Sequence, residues 1–162
     1  TMEFETDLDT FKADAACVVP GQRAGSIAHS AGVTDGDWAP IVPASMQSKA
    51  DANIHVLGDA SVASAMPKSG FSANSQAKVA ANAIRGELTG SRVFEPRFAN
   101  TCWSLVATND GVKVGANYKA GAEKIEVVDK FISQGGESDD VRKATYEESE
   151  GWYKGITSDM FS

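Results

Sequence analysis

The stretch from Asn53 to Ala80, NIHVLGDASVASAMPKSGFSANSQAKVA, constrains the fold of this chain more than any other. It opens on a short apolar run, Ile54-His55-Val56-Leu57, halted by Gly58-Asp59, and so predicts a buried strand ending in a tight turn. In open α/β sheets ligands sit at the carboxyl ends of strands, where an Asp accepts hydrogen bonds from the hydroxyls of a sugar or sugar alcohol. Pro67-Lys68-Ser69-Gly70 follows, then Ser72, the expected N-cap of an Ala-rich helix running to about Leu88. A helix N-terminus presents free N–H groups and a partial positive charge. The segment therefore offers an acceptor for hydroxyls and a positive end for an electron-rich group.

The flanking segments predict how that element is framed. Met2 to Asp7 alternates apolar and acidic residues and reads as a half-buried strand. A turn near Asp9-Thr10 leads to Ala13 to Val19, a continuous apolar run expected as a central strand, with Cys17 a buried structural residue. Gln22 to Ala31 reads as a short helix closed by Gly32, and Val33 to Ala50 as a connecting excursion extended near Ile41-Val42. On the Ser72 helix, Ala73, Ala77, Ala80, Ala81 and Ile84 form a slim apolar face, with Gly90 as terminator. From Val93 the texture changes: Asn100 to Thr108, Val112 to Tyr118 and Lys124 to Ile132 predict three strands, the first two joined by an Asn109-Asp110-Gly111 turn. Ser138-Asp139-Asp140 then opens a charged helix toward Tyr153, and the aromatic tail from Trp152 to Phe161 is expected to dock.

A net charge of −7 disfavours nucleic-acid phosphates and anionic membranes as partners. No apolar run approaches the roughly 20 residues a membrane-spanning helix needs. His29 and His55 lack partners at ligand spacing, so no metal site is expected. Two cysteines define no disulfide scaffold. Taken without context, Asp59 is an ordinary turn aspartate, Lys68 a surface lysine, Cys102 a small buried strand residue, and Trp152 a docking residue for the last helix. Pro20, Gln22 and Arg23 make a strand-to-helix turn.

The run IHVLGDAS resembles the second flavin-binding motif of the two-dinucleotide-binding-domain flavoproteins, in which the Asp after the Gly holds the ribityl chain of FAD. The longer run GDASVASAMPKSGFSANSQAKVAA, with PGQRAG at Pro20 to Gly25 and NTCWSL at Asn100 to Leu105, is similar to the flavoprotein subunit of flavocytochrome c sulfide dehydrogenase. The similarity runs through nearly the whole chain and is weakest over Glu123 to Lys143. It implies an α/β and α+β chain, the C-terminal part of a glutathione-reductase-like flavoprotein. Residues 1–50 would end the NAD-like domain and connect onward, 51–92 would complete the FAD domain, and 93–162 would form a mostly antiparallel sheet-plus-helix domain at the flavin.

By that resemblance Gly58 and Asp59 take the ribityl chain, and Met66, Pro67, Lys68, Ser69, Gly70 and Phe71 pass beside the flavin ring. There a cation and a helix N-terminus would stabilise charge at the pyrimidine end. Cys102 matches the C-terminal member of a redox-active cysteine pair that captures sulfide sulfur and delivers two electrons to the flavin. Trp152 would line the path to an electron acceptor. The implied activity is oxidation of sulfide to sulfur or polysulfide, with a c-type cytochrome subunit as acceptor, in the periplasm. A sulfide:quinone oxidoreductase is the alternative enzyme, disfavoured by the polar tail. No G-x-G-x-x-G follows a strand, so the chain is expected to be the C-terminal portion of a longer protein, inactive alone, or a non-catalytic interaction fragment.

Overall fold

The computed structural model describes residues 1–161. The chain begins with a free-standing hairpin, β1 (Met2–Glu5) antiparallel to β2 (Thr10–Ala13), with Met2 opposite Ala13. None of residues 1–23 is buried, so the alternation in β1 does not produce the half-buried strand expected of it. Residues 14–19 form no strand, and Cys17 is exposed. An apolar run becomes a central strand only where neighbours pair with it on both edges, and here no described segment does so.

From Ala24 onward the chain is packed. A small core of Ala24, Ala28, Val33 and Ala39 gathers around α1 (Ser26–Ser30), with Trp38, Ile54 and Val56 against it. Strand β3 (Ala39–Pro40) pairs in parallel with β4 (Ser61–Val62). Between them Ile54 to Leu57 departs from expectation. Its one ladder contact is a bridge from His55 to Gln47, while the Val56 N–H donates to the Met46 carbonyl at 3.0 Å. Paired with a turn rather than a full strand, the run stays half-buried. Gly58, at φ +66°, then starts a single 3-10 turn, Gly58–Ala60.

Helix α2 (Gly70–Thr89) is the spine of the packed region. Its N-cap is Ser69, in extended geometry with Oγ accepting the Ser72 N–H at 3.1 Å, and not Ser72, which is buried in the first turn. Capping of this kind is worth about 1 kcal/mol. Gly90, left-handed at φ +67°, ends the helix as its sequence position predicts. The buried face is Ser72, Gln76, Val79, Ala80 and Gly86, a stripe rotated from the alanine face and more polar than it.

A three-stranded antiparallel sheet follows: β5 (Arg97–Ala107), β6 (Asp110–Ala120) and β7 (Ile125–Ile132), in that spatial order. The expected hairpin is present, with Asn109 carrying the positive φ of +60°. One face packs Phe98, Ala116, Tyr118 and Ile125 against Val79 and Ala80 of α2 and against Met46, Ala63 and Met66, making the main core. The other face receives α3 (Asp139–Phe161). Gly111 permits that approach, since a Cβ there would lie 2.9 Å from the Tyr146 amide nitrogen. Arg142 Nε bonds Asp110 Oδ1 at 2.6 Å, Lys113 pairs with Glu148, and Lys78 Nζ reaches Asp159 at 3.0 Å. The result is mixed α/β: one antiparallel sheet between two long helices, with a loop-rich cap.

Candidate functional site

The first two turns of α2 collect the polar groups expected to carry function. Ser69 Oγ and Ser72 Oγ both donate to Asn100 Oδ1 on β5, at 2.5 and 3.1 Å. Ser75 Oγ accepts the Ala99 N–H at 3.0 Å. Gln76, 1% exposed, turns the other way: its Oε1 accepts the Gly58 N–H at 2.7 Å and the Ser61 hydroxyl at 3.5 Å. Helix α2 thus fixes the Gly58-Asp59 turn on one side and the Cys102 strand on the other.

Cys102 is exposed and unpaired, and lines a cavity of about 750 Å³. Strand alternation puts Asn100 and Cys102 on the same face of β5. The cavity lies on that face, where Val114 and Tyr118 from β6, Ile132 from β7 and Pro67 from the loop before α2 complete much of the wall. Its lining is mainly apolar. Asn100 Nδ2 donates to Cys102 Sγ at 3.4 Å. Burial raises the Tyr118 phenol above its usual 10.0, and charge on Cys102 adds to the shift.

Gly58, Pro67 and Lys68 line a smaller cavity of about 160 Å³ with Trp38 and Gln76, so Pro67 stands between the two cavities. The Asp59 side chain is exposed on its 3-10 turn. Lys68 does not project freely from the loop. Its Nζ donates to the carbonyls of Asp59 at 2.5 Å and Ser61 at 3.2 Å, and it lies 3.6 Å from the centre of the Trp38 ring. Desolvation lowers its pKa from the usual 10.5, partly offset by the Asp59 carboxylate. The expected free cation at the head of α2 is therefore a clamp on the Gly58–Ala60 turn.

Phe71 and Trp152 lie elsewhere again. Phe71 stacks on Trp152 with ring centres 5.5 Å apart and planes 14° from parallel, and both lie 5.8 Å from Trp103. Trp103 alternates with Cys102 along β5, so this trio occupies the α3 side of the sheet. The structure thus sorts the expected residues into three groups around the start of α2. Cys102 and Pro67 face the large cavity, Gly58, Asp59 and Lys68 form the turn, and Phe71 and Trp152 form the aromatic joint. Ser69 and Gly70 begin the helix between them.

Residues 94–161 match the family model described as flavocytochrome c sulphide dehydrogenase, flavin-binding. This C-terminal portion of the chain is similar to that family's flavin-binding domain. The match is consistent with flavin binding, and with FAD as the flavin, and supports a flavoprotein role in sulfide oxidation. In the flavin-binding domain the matched segment contains the sheet, α3, Asn100, Cys102 and Trp152, while Asp59 and the start of α2 lie before it.

The residues present fit the flavin end of such a cofactor. The apolar cavity has a size and lining suited to a ring system, with a thiol and a few polar groups at its wall. Gly58 lets its turn pack closely on α2, since a Cβ there would lie 3.3 Å from the Ala73 Cβ. No group of three or more potential metal ligands occurs among the described residues.

Sequence reasoning missed Asn100 and Gln76 as organising residues. Gln76 had a signal: Ser72 and Gln76, four apart, continue through Val79 and Ala80 as one helical stripe, which a count of alanines passes over. For Asn100 the sign was its place two residues before Cys102, on the same strand face.

Proposed function

We propose that the protein to which this chain contributes oxidises sulfide with FAD, the Cys102 side of the sheet supplying the sulfur chemistry. The observation that carries this reading is Cys102 on the wall of an apolar cavity, its sulfur in contact with a buried amide and the loop at Pro67 opposite. In this reading Cys102 pairs with a second cysteine outside the chain, because Cys17 lies exposed on the segment that buries nothing. FAD, when bound, would accept two electrons and release them singly. The chain's own residues hold and orient: Asp59 takes the ribityl hydroxyls, Gly58 lets the backbone approach, Pro67 forms the shared wall, and the amides of Gly70 and Phe71 face the ring edge from the start of α2.

The family name points to a c-type cytochrome as acceptor, and an oxidising compartment such as the periplasm suits a catalytic disulfide. The glutathione-reductase-like frame for residues 1–92 belongs to the same proposal. So does a path from the cavity through the Phe71, Trp103 and Trp152 joint toward the surface of α3.

The test uses the full-length protein. Cys102→Ser is expected to abolish sulfide-dependent bleaching of the flavin while FAD stays bound; undiminished bleaching would remove Cys102 from the reaction. Asp59→Ala is expected to leave the cysteine chemistry intact and lower the FAD content of the purified protein. Full occupancy would take the ribityl contact away from Asp59.

A further inference from the structure

We infer that Asn100 is a positioning residue for Cys102, holding the sulfur toward the cavity and stabilising it by a hydrogen bond when it becomes a thiolate. The inference rests on the proposed sulfide reaction for its purpose, but its geometry stands apart. Asn100 is 3% exposed, and an amide that deep must satisfy both ends. Its oxygen is occupied by two hydroxyl donors, Ser69 and Ser72. Ser69 Oγ already accepts the Ser72 N–H, which leaves its proton to donate, and with both hydroxyls donating to the amide oxygen the two serines orient the amide. The NH₂ is thereby turned toward Cys102 Sγ, 3.4 Å away. The N-cap of α2 consequently orients the cysteine on the neighbouring sheet.

That arrangement matters at one step. When hydrosulfide attacks the partner sulfur of a disulfide to Cys102, one S–S bond forms and one breaks. The partner keeps the added S–H, and Cys102 departs with the electron pair as a thiolate. A donor already aimed at that sulfur favours the departing form, because hydrogen bonds to charged groups are stronger than those to neutral ones. Tyr118 on β6 and Lys130 on β7 are the other titratable groups lining the cavity. Tyr118, held above its usual 10.0 by burial, stays neutral near neutral pH.

The experiment follows alkylation of the one remaining thiol by iodoacetamide in the 162-residue chain carrying Cys17→Ser, from about pH 6 to about pH 9. Asn100→Ala is expected to move the pH profile upward and slow the reaction near neutrality by on the order of tenfold, as for a lost hydrogen bond to a charge. Asn100→Asp keeps the acceptor for both serines while removing the donor, and is expected to slow it at least as much. Ser69→Ala paired with Ser72→Ala frees the amide and gives a smaller shift in the same direction. Tryptophan fluorescence from Trp103 and Trp152 reports whether each variant is folded. An unchanged profile in folded Asn100→Asp, or in the double serine variant should the Asn100 variants unfold, overturns the inference. Sulfide plays no part in this measurement. A Cys102→Ser protein that still turns over would therefore remove the proposed function and leave the alkylation result standing, and an unshifted profile would do the reverse.

Discussion

Lys68 shows how a side chain can look poised for a ligand and be engaged elsewhere. Sequence places it just before a helix N-terminus, where a cation facing an electron-rich ring is the natural expectation. The structure spends it on two backbone carbonyls and the Trp38 face. No local pattern encodes that, because Asp59, Ser61 and Trp38 are brought to Lys68 by the 3-10 turn and the β3–β4 pairing. The clamp has a pH signature. Lys68 titrates below its usual 10.5 in the folded chain, so between the lowered value and 10.5 the unfolded chain binds more protons, and stability rises with pH across that window. Lys68→Met has no such gain. From about pH 8 to about pH 10.5, urea melts of the two proteins are expected to show the wild type improving relative to the variant. A difference that stays flat, or moves the other way, would mean that the ammonium is not desolvated in the clamp.

At the scale of elements, the C-terminal half was the most legible part of the chain. Alternation and an Asn-Asp-Gly turn specify β5 and β6, and the Ser-Asp-Asp start specifies α3, since each signal is local. The cap of α2 was legible only to within a turn: Ser69 and Ser72 are both plausible caps, and the contact with Asn100 on a strand remote in sequence settles their roles. Ile54 to Leu57 failed as a strand because strand formation depends on a partner that the run cannot specify. Close approach inside the sheet is likewise invisible in sequence and constrains Gly115. A Cβ at that position would overlap the Asn100 carbonyl oxygen and the Phe131 ring, both on flanking strands. The ring can turn aside but the carbonyl cannot without shifting β5. Gly115→Ala is expected to destabilise the chain by about 2 kcal/mol, the usual scale of overpacking, and to displace Asn100 with it. Chemical denaturation gives the first number, and slowed thiol alkylation reports the second. A variant as stable as the parent would mean that the β5–β6 spacing has room to spare.

For the whole molecule, the distribution of burial decides what the chain does alone. Residues 1–23 bury nothing, and a two-stranded hairpin of this size is marginal without a surface to cover it. The packed part, from Ala24 onward, presents the large cavity, the Gly58–Ala60 turn and the start of α2 on one continuous framework. In the proposed function those elements address the ring and sugar-alcohol end of FAD. The diphosphate end requires a different device, a glycine-rich turn feeding a helix N-terminus, and no such spacing occurs in the sequence. Ring contacts from an apolar wall must offset the entropy of holding the ligand, and without the diphosphate anchor little affinity remains. The purified 162-residue chain is therefore expected to be colourless, with tryptophan absorbance and none of the visible bands of a flavin, and to stay so after incubation with FAD and desalting. A yellow protein would show that the phosphates are held after all, by groups such as the Arg23 segment that this fold leaves exposed, and that the chain is a complete flavin site in itself.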